Sequence, residues 1–202
     1  VFSIESCSSV SLDGISVPAE TMIPMYFFQT DGLSINESIF HNMTDGVRID
    51  QVMDFNITNT TFSGCERGLV LNYAYLGDTY PSRIKDTEFI DCGLGIRGND
   101  FDSVEVEDCR FKRCQVGMEV ERSYGWRIHE NSFLNCNLSA IKMLRGSMEN
   151  WVYWNTFREN NVENGTQKIQ VEDESEITRW YNPTYQEGNL WYDHTEPDLD
   201  RN

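Results

Sequence analysis

The sequence has no apolar run near the ~18–20 residues that a membrane-crossing helix needs. No stretch of it carries a 3.6-residue apolar stripe of helical length. Basic residues are few: 16 lysines and arginines stand against 33 aspartates and glutamates, a formal net charge of −17 over 202 residues. That balance makes nucleic acid and anionic membranes poor partners and leaves cations, basic surfaces and neutral polymers. Histidine is scarce, with only His41, His129 and His194, far apart in sequence, so a histidine triad or copper cluster finds no support. No Cys-x-x-Cys pair occurs, which argues against a structural zinc site. The chain opens at Val1 without methionine, basic n-region or apolar leader, and a processed or excised segment is the expectation. What it does hold, 39% hydrophobic and 24% charged residues, is the mix of a folded chain with room for a substantial core.

Self-similarity at a period of about 22 residues is the most informative feature. Six phenylalanines mark it: Phe40, Phe62, Phe89, Phe111, Phe133 and Phe157. Five residues before each stands a β-branched aliphatic, Ile35, Ile57, Ile84, Val106, Ile128 and Val152. Three residues after each come Met43, Cys65, Cys92, Cys114, Cys136 and Asn160. Six residues after the first four rings comes glycine, Gly46, Gly68, Gly95 and Gly117, followed by Val47, Leu69, Ile96 and Met118. Beyond Phe133 an insertion passes these roles to Ala140, Ile141 and Met143.

Each unit thus reads as short alternating strands separated by Gly or Asn turns. Such strands are too short, and such units too alike, for a sandwich or a βαβ fold. Stacking the units gives an all-β solenoid, a single-stranded right-handed parallel β-helix of about six to seven rungs with N- and C-terminal caps. At ~4.8 Å per row the rod is on the order of 30 Å long, with Phe on Phe, Ile on Ile and Cys on Cys inside. The repeated glycines are expected to supply positive φ at a sharp corner. The division expected is 1–30 as N-terminal cap and irregular first rung, 31–167 as regular rungs, and 168–202 as an aromatic and acidic C-terminal cap and tail. Caps are physically required, because open ends expose strand edges and the apolar column.

The unit x-I-x-x-N-x-F-x-x-C-x-x-G-I-x-I resembles the right-handed parallel β-helix repeat. The ending, Gly188-Asn189-Leu190-Trp191-Tyr192-Asp193 followed by Pro197-Asp198-Leu199-Asp200, is similar to the tail of β-helix domains in the NosD-type, periplasmic copper-binding family. The resemblance implies a secreted or surface protein of the kind often associated with carbohydrate binding or sugar hydrolysis. Its copper label transfers to no residue here, and fold alone does not establish activity.

Cysteines Cys65, Cys92, Cys114 and Cys136 share one column, Cys7 and Cys109 lying outside it. A buried thiol stack and row-to-row disulfides both remain open: Cα spacing permits a bridge, whereas parallel side chains disfavour its dihedral angle. Six glycosylation sequons occur, at Asn36, Asn42, Asn56, Asn59, Asn137 and Asn164. Their excess suggests an extracellular, cell-surface glycoprotein.

Candidate acids on the outer face are Asp50, Asp54, Asp100, Asp102, Glu105, Glu107, Glu119, Glu121 and Glu130. A solvated acidic face accounts for them, and no catalytic residue is assigned. Aromatic side chains offer the sharper candidates for ligand contact. The extra residues between Phe62 and Phe89 form a loop bearing Tyr73, Tyr75 and Tyr80, and Trp180 and Trp191 belong to an aromatic C-terminal end. Asp198 and Asp200 match the first half of a calcium loop, so no cofactor is expected beyond possible calcium. The reading is a non-catalytic extracellular β-helix module of a cell-surface or filamentous assembly, structural, adhesive or glycan-binding, with glycans or other subunits as partners and possible self-association. The alternative is a polysaccharide lyase or glycoside hydrolase working in a groove on the β-helix.

Overall fold

Alternation decides the architecture: every second side chain in a strand points inward, and the chain repeats that alternation three times per turn of the coil. A computed structural model describes residues 2–17, 25–74, 82–163, 166–167, 170–182 and 184–192. In these residues three parallel sheets of eight strands each run along one axis, visited in turn by the chain. One row shows the plan: Leu94–Phe101 in the first sheet, Val104–Glu107 in the second, Arg110–Lys112 in the third. The fold is a right-handed parallel β-helix, as the repeat predicts. The first row is formed by Phe2–Glu5, Ser8–Asp13 and Ser16–Val17. The last is formed by Val171–Asp173, Ile177–Arg179 and Leu190–Trp191, in a stretch where the sequence period is no longer legible. A two-stranded antiparallel ribbon, Val162–Glu163 with Thr166–Gln167, interrupts the coil before that last row.

The interior is a set of columns. The six phenylalanine rings stack in parallel register, with neighbouring centroids 4.6–5.1 Å apart. Trp191 continues the column on Phe157, at 4.3 Å and an interplanar angle of 15°. Beside them Ile35, Ile57, Ile84, Val106, Ile128 and Val152 form a second column with no solvent exposure. All cysteines are free thiols, Cys7 exposed and the other five buried. Cys65, Cys92 and Cys114 donate to the carbonyls of Phe40, Phe62 and Phe89 one row back, at 3.5–3.7 Å.

The glycine column corrects one expectation. Gly46, Gly68, Gly95 and Gly117 are not among the residues of positive φ. They are glycine because the Phe ring and a carbonyl of the following row leave no space for a Cβ. The corners are instead turned by other residues in the left-handed region, nearly all of them polar. After the second sheet these are Glu37, Asn59, Asp86, Asp108, Glu130 and Trp154. Left-handed strain of ~1–2 kcal/mol per residue is offset by hydrogen bonds that continue the ladder across the corner. Thus the Glu37, Asn59 and Asp86 amides donate to the carbonyls of Thr58, Lys85 and Glu107 in the next row.

Candidate functional site

Because each residue faces its equivalent one row on, the outer surface is also columnar, and side chains about 22 residues apart become neighbours. On the second sheet one outer column runs Arg83, Glu105, Arg127, Trp151, Arg179, and the next runs Lys85, Glu107, His129, Tyr153. Charges of opposite sign therefore meet. Arg83 donates to Glu105 Oε2 from Nε at 3.1 Å and from Nη2 at 2.7 Å. Lys85 Nζ lies 3.2 Å from Glu107 Oε1 and 3.1 Å from Asp108 Oδ2. His129 is buried with Nε2 3.2 Å from Glu105 Oε1 and Nδ1 3.2 Å from Glu130 Oε2. Its ring is parallel to Tyr153 at 5.0 Å. Burial acts to raise the Glu105 carboxyl, but the hydrogen bonds from Arg83 and His129 outweigh it and hold the group below the usual glutamate value. Burial pushes the Tyr153 phenol above its ordinary value. One donor atom each from Glu105, Glu107 and His129 lie within 4.8 Å of one another.

A second cluster forms at the corner between the first and second sheets. Arg122 forks onto Asp100, with Nε 3.0 Å from Oδ1 and Nη2 3.0 Å from Oδ2, and also donates to Asn99 Oδ1 at 2.6 Å and Glu121 Oε1 at 2.7 Å. Asp102, half-buried, accepts the Tyr124 amide at 2.8 Å. Burial raises its carboxyl, the Tyr124 amide lowers it less, and the charge of Asp100 adds a further rise. Tyr73 and Tyr124, 48% and 45% exposed, occupy this same corner two rows apart. Between them, the Asp102 amide donates to Ala74 and the Ser103 amide to the carbonyl of Tyr124.

The other residues singled out in the sequence fall as follows. Trp180 is half-buried, its indole donating to Asp173 Oδ2 at 2.8 Å, and Trp191 closes the ring column. Asn36 donates to Asp13 at 2.9 Å and accepts from Thr58 at 2.8 Å, whereas Asn42, Asn56, Asn59 and Asn137 are exposed. Asp50 is held by Arg48 and Asn72, Glu119 lies 3.7 Å from Arg97, and Asp54 is exposed. Tyr75, Tyr80, Asn164, Asp198 and Asp200 lie outside the described residues. Sequence reasoning missed the convergence of His129 with Glu105 and Glu107. The signal was present: Lys85, Glu107 and His129 each stand four residues before a column phenylalanine. It also missed Trp191 as a column ring, although Asn189 two residues earlier repeats Asn131 before Phe133 and Asn155 before Phe157.

These features define the class: a right-handed parallel β-helix whose charged outer face is organised row upon row. A family model described as periplasmic copper-binding protein (NosD) matches residues 5–196, and the chain belongs to that family. No curated protein and no solved structure matches it. The family places the chain, at a coarse level, among β-helix modules that work outside the cytoplasm. Among the described residues no helix is long and apolar enough to cross a membrane.

Proposed function

We propose that the chain is a non-catalytic extracellular module, displayed at the cell surface, that binds a glycan at the corner between the first and second sheets. The observation that carries this reading is the pair of exposed tyrosines, Tyr73 and Tyr124, flanking Asn99, Asp100, Asp102 and Arg122. Flat phenol faces beside fixed amide, carboxylate and guanidinium groups suit a polyhydroxylated ring, which needs both stacking and directed hydrogen bonds. At one row per ~4.8 Å the two rings stand roughly 10 Å apart along the rod, a span fitting a short oligosaccharide. The aromatic residues of the second sheet are poorer candidates. His129 and Tyr153 stack on each other, and the Arg179 guanidinium lies 4.8 Å over the Trp151 ring, so ring faces are already covered.

Non-catalytic action is favoured because the outer carboxylates are largely committed to row-to-row pairs. Asp45 is held by Arg67, Asp91 by Arg113, Asp100 by Arg122 and Glu105 by Arg83 of adjoining rows, and Asp50 by Arg48 of its own strand. One observation favours the second reading, a glycoside hydrolase. Asp102 is raised by burial, as a general acid requires, and a second carboxyl, Asp100, stands near it on Arg122.

The family description names copper. Histidines His41 and His129 belong to strands of different sheets, and the buried thiols face the interior. Around His129, with one imidazole and neighbouring carboxylates, the donors fit a divalent ion such as Cu(II) rather than thiolate-seeking Cu(I).

Screening oligosaccharides for binding, followed by calorimetry with the best ligand, tests the reading. Tyr73→Ala and Tyr124→Ala are expected to weaken binding about tenfold or more, in keeping with ~1–3 kcal/mol for a stacked aromatic contact. Retained affinity in both variants would refute the corner site. Reducing-sugar release that disappears in Asp102→Asn would replace the binding module with the hydrolase. Intact-mass analysis of secreted protein from a glycosylating host reads sequon occupancy in the same preparation.

A further inference from the structure

The corner between the first and second sheets is short of one cation. Three carboxylates meet there, Asp100, Asp102 and Glu121, and Arg122 serves two of them, with Nη2 3.0 Å from Asp100 Oδ2 and Nη1 2.7 Å from Glu121 Oε1. The same guanidinium donates to Asn99 Oδ1 at 2.6 Å, and none of these bonds reaches Asp102. Arg145, one row on, pairs with Glu174 at 3.3 Å. Among the described residues Asp102 is left with one hydrogen bond, from the Tyr124 amide to Oδ1 at 2.8 Å, and with no cationic partner. The rings show the same deficit. Elsewhere a guanidinium lies over an aromatic face: Arg48 over Tyr26 at 5.7 Å, Arg158 over Tyr192 at 5.7 Å and Arg179 over Trp151 at 4.8 Å. Among the described residues no cation covers the exposed rings of Tyr73 and Tyr124. We infer that this corner selects glycans that carry a free amino group, the ammonium resting on the Asp102 carboxylate between the rows of Tyr73 and Tyr124.

The inference rests on the glycan reading of this corner and adds the class of sugar. Row register sets the geometry: Tyr73, Asp100 and Arg122 follow one another in one column, so both aspartates stand in the row between the two tyrosines. The same column holds Gln29 and Gln51 in earlier rows, and all five residues are left-handed. Tyr73 bears that backbone cost without the side-chain bonds that link Gln29 to Gln51 and Arg122 to Asp100, which fits a residue whose partner lies outside the chain. An ammonium group brings three N–H donors and a compact charge. Asp102 offers it a charged acceptor, and a phenol face within about 6 Å adds cation–π attraction. Burial and the charge of Asp100 both work against the ionised form of Asp102, and a bound cation relieves both. A carboxylated sugar meets the opposite field, three carboxylates against one guanidinium whose bonds are already made. An acetamido sugar is neutral: it can stack on the rings but leaves the charge of Asp102 unanswered.

Calorimetry of the full chain with tetramers of glucosamine, N-acetylglucosamine and galacturonate tests it. The glucosamine tetramer is expected to bind about tenfold or more tightly than the acetylated one, and the uronate not detectably. Asp102→Asn keeps an acceptor for the Tyr124 amide while removing the charge, so the preference should shrink to about twofold or less. Glu37→Gln removes one negative charge at an exposed corner on another side of the rod and should leave the preference intact. A preference that survives Asp102→Asn, or that falls as far in Glu37→Gln, reflects attraction to the overall charge of the chain and overturns the inference. Tighter binding of the uronate overturns it too. Equal binding of the two glucosamine oligomers, lost in Tyr73→Ala and Tyr124→Ala, overturns the amino-sugar preference and leaves the glycan corner standing. A screen in which no oligosaccharide binds removes the corner and the inference together.

Discussion

Gly95 lies directly against Phe111: a Cβ on this glycine would stand 2.8 Å from the ring Cδ1 and 2.5 Å from the carbonyl oxygen of Gly117. The same contact recurs at Gly46, Gly68 and Gly117, so the ring column and the glycine column are two sides of one packing unit. Gly95→Ala should therefore destabilise by about 1–3 kcal/mol or more, because backbone rather than a flexible side chain must give way. Gly95→Asn should be no better, since left-handed backbone is not what the position requires. Gly14 offers the contrast: φ is +61° and nothing lies within 4 Å of a Cβ there. Gly14→Asn should cost less than about 0.5 kcal/mol. Urea denaturation of the three variants checks both halves. Near-equal midpoints for Gly95→Ala and Gly14→Asn would refute the packing account.

How far the sequence reveals this molecule depends on which interactions are periodic. The Phe40 to Phe157 series fixes the coil, the inward columns and the register, because an interior stacked at one spacing needs like residues at one interval. The role of Gly95 was not legible, since a glycine needed for space and a glycine needed for positive φ look identical in sequence. Trp191 escaped because a 34-residue step from Phe157 hides the column behind an inserted ribbon. The cluster around His129 was half legible. Glu105 and Glu107 alternate with valines and so must face outward, but the partners Arg83 and His129 are set by row register rather than by local pattern.

The buried thiols make stability fall on the alkaline side. Burial pushes Cys109 and Cys136 up to about 12. The contact with Cys114, together with burial, pushes Cys92 up to about 12, and Cys65 is raised by its contact with Cys92 and by burial. An unfolded thiol titrates near ~8.5. Between that value and about 12 the unfolded chain has lost protons that the folded chain keeps. Stability is therefore level below ~pH 8.5 and falls above it, by up to ~1.4 kcal/mol per pH unit for each such thiol. Replacing Cys92, Cys109 and Cys136 together by serine should flatten the slope measured by urea denaturation between pH 9 and 11. A thiol reagent at pH 8 should modify Cys7 in the native protein and the other five only after denaturation. Native modification of more than one thiol would show that the column is open to solvent.

Asn155 is the most connected member of a polar column that runs beside the rings. Its Oδ1 accepts the amide of Asn131 and the Asn131 side chain, each at 3.0 Å, and its Nδ2 donates to the carbonyls of Ile128 at 2.8 Å and Tyr153 at 3.1 Å. Asn131 repeats the pattern on the Cys109 amide and the Val106 carbonyl, and Asn189 repeats it on Asn155 and Val152. Earlier rows place Thr60 and Thr87 in this column, where the hydroxyl reaches only the carbonyl two residues back in its own strand. The chemistry of each substitution then orders the outcome. Asn155→Thr should satisfy the Tyr153 carbonyl and forfeit the bonds to the preceding row. Asn155→Ala should leave all these buried groups unpartnered, at about 2–4 kcal/mol. Asn155→Asp should be the worst, because it keeps the acceptor, loses all three bonds that Nδ2 donates, to Ile128, Tyr153 and Asn189 Oδ1, and buries a charge. Urea midpoints should fall in that order, and hydrogen exchange at the Asn131 amide should accelerate in the alanine variant. An aspartate variant as stable as the wild-type chain would show that the site is wetter than the zero exposure of Asn155 implies.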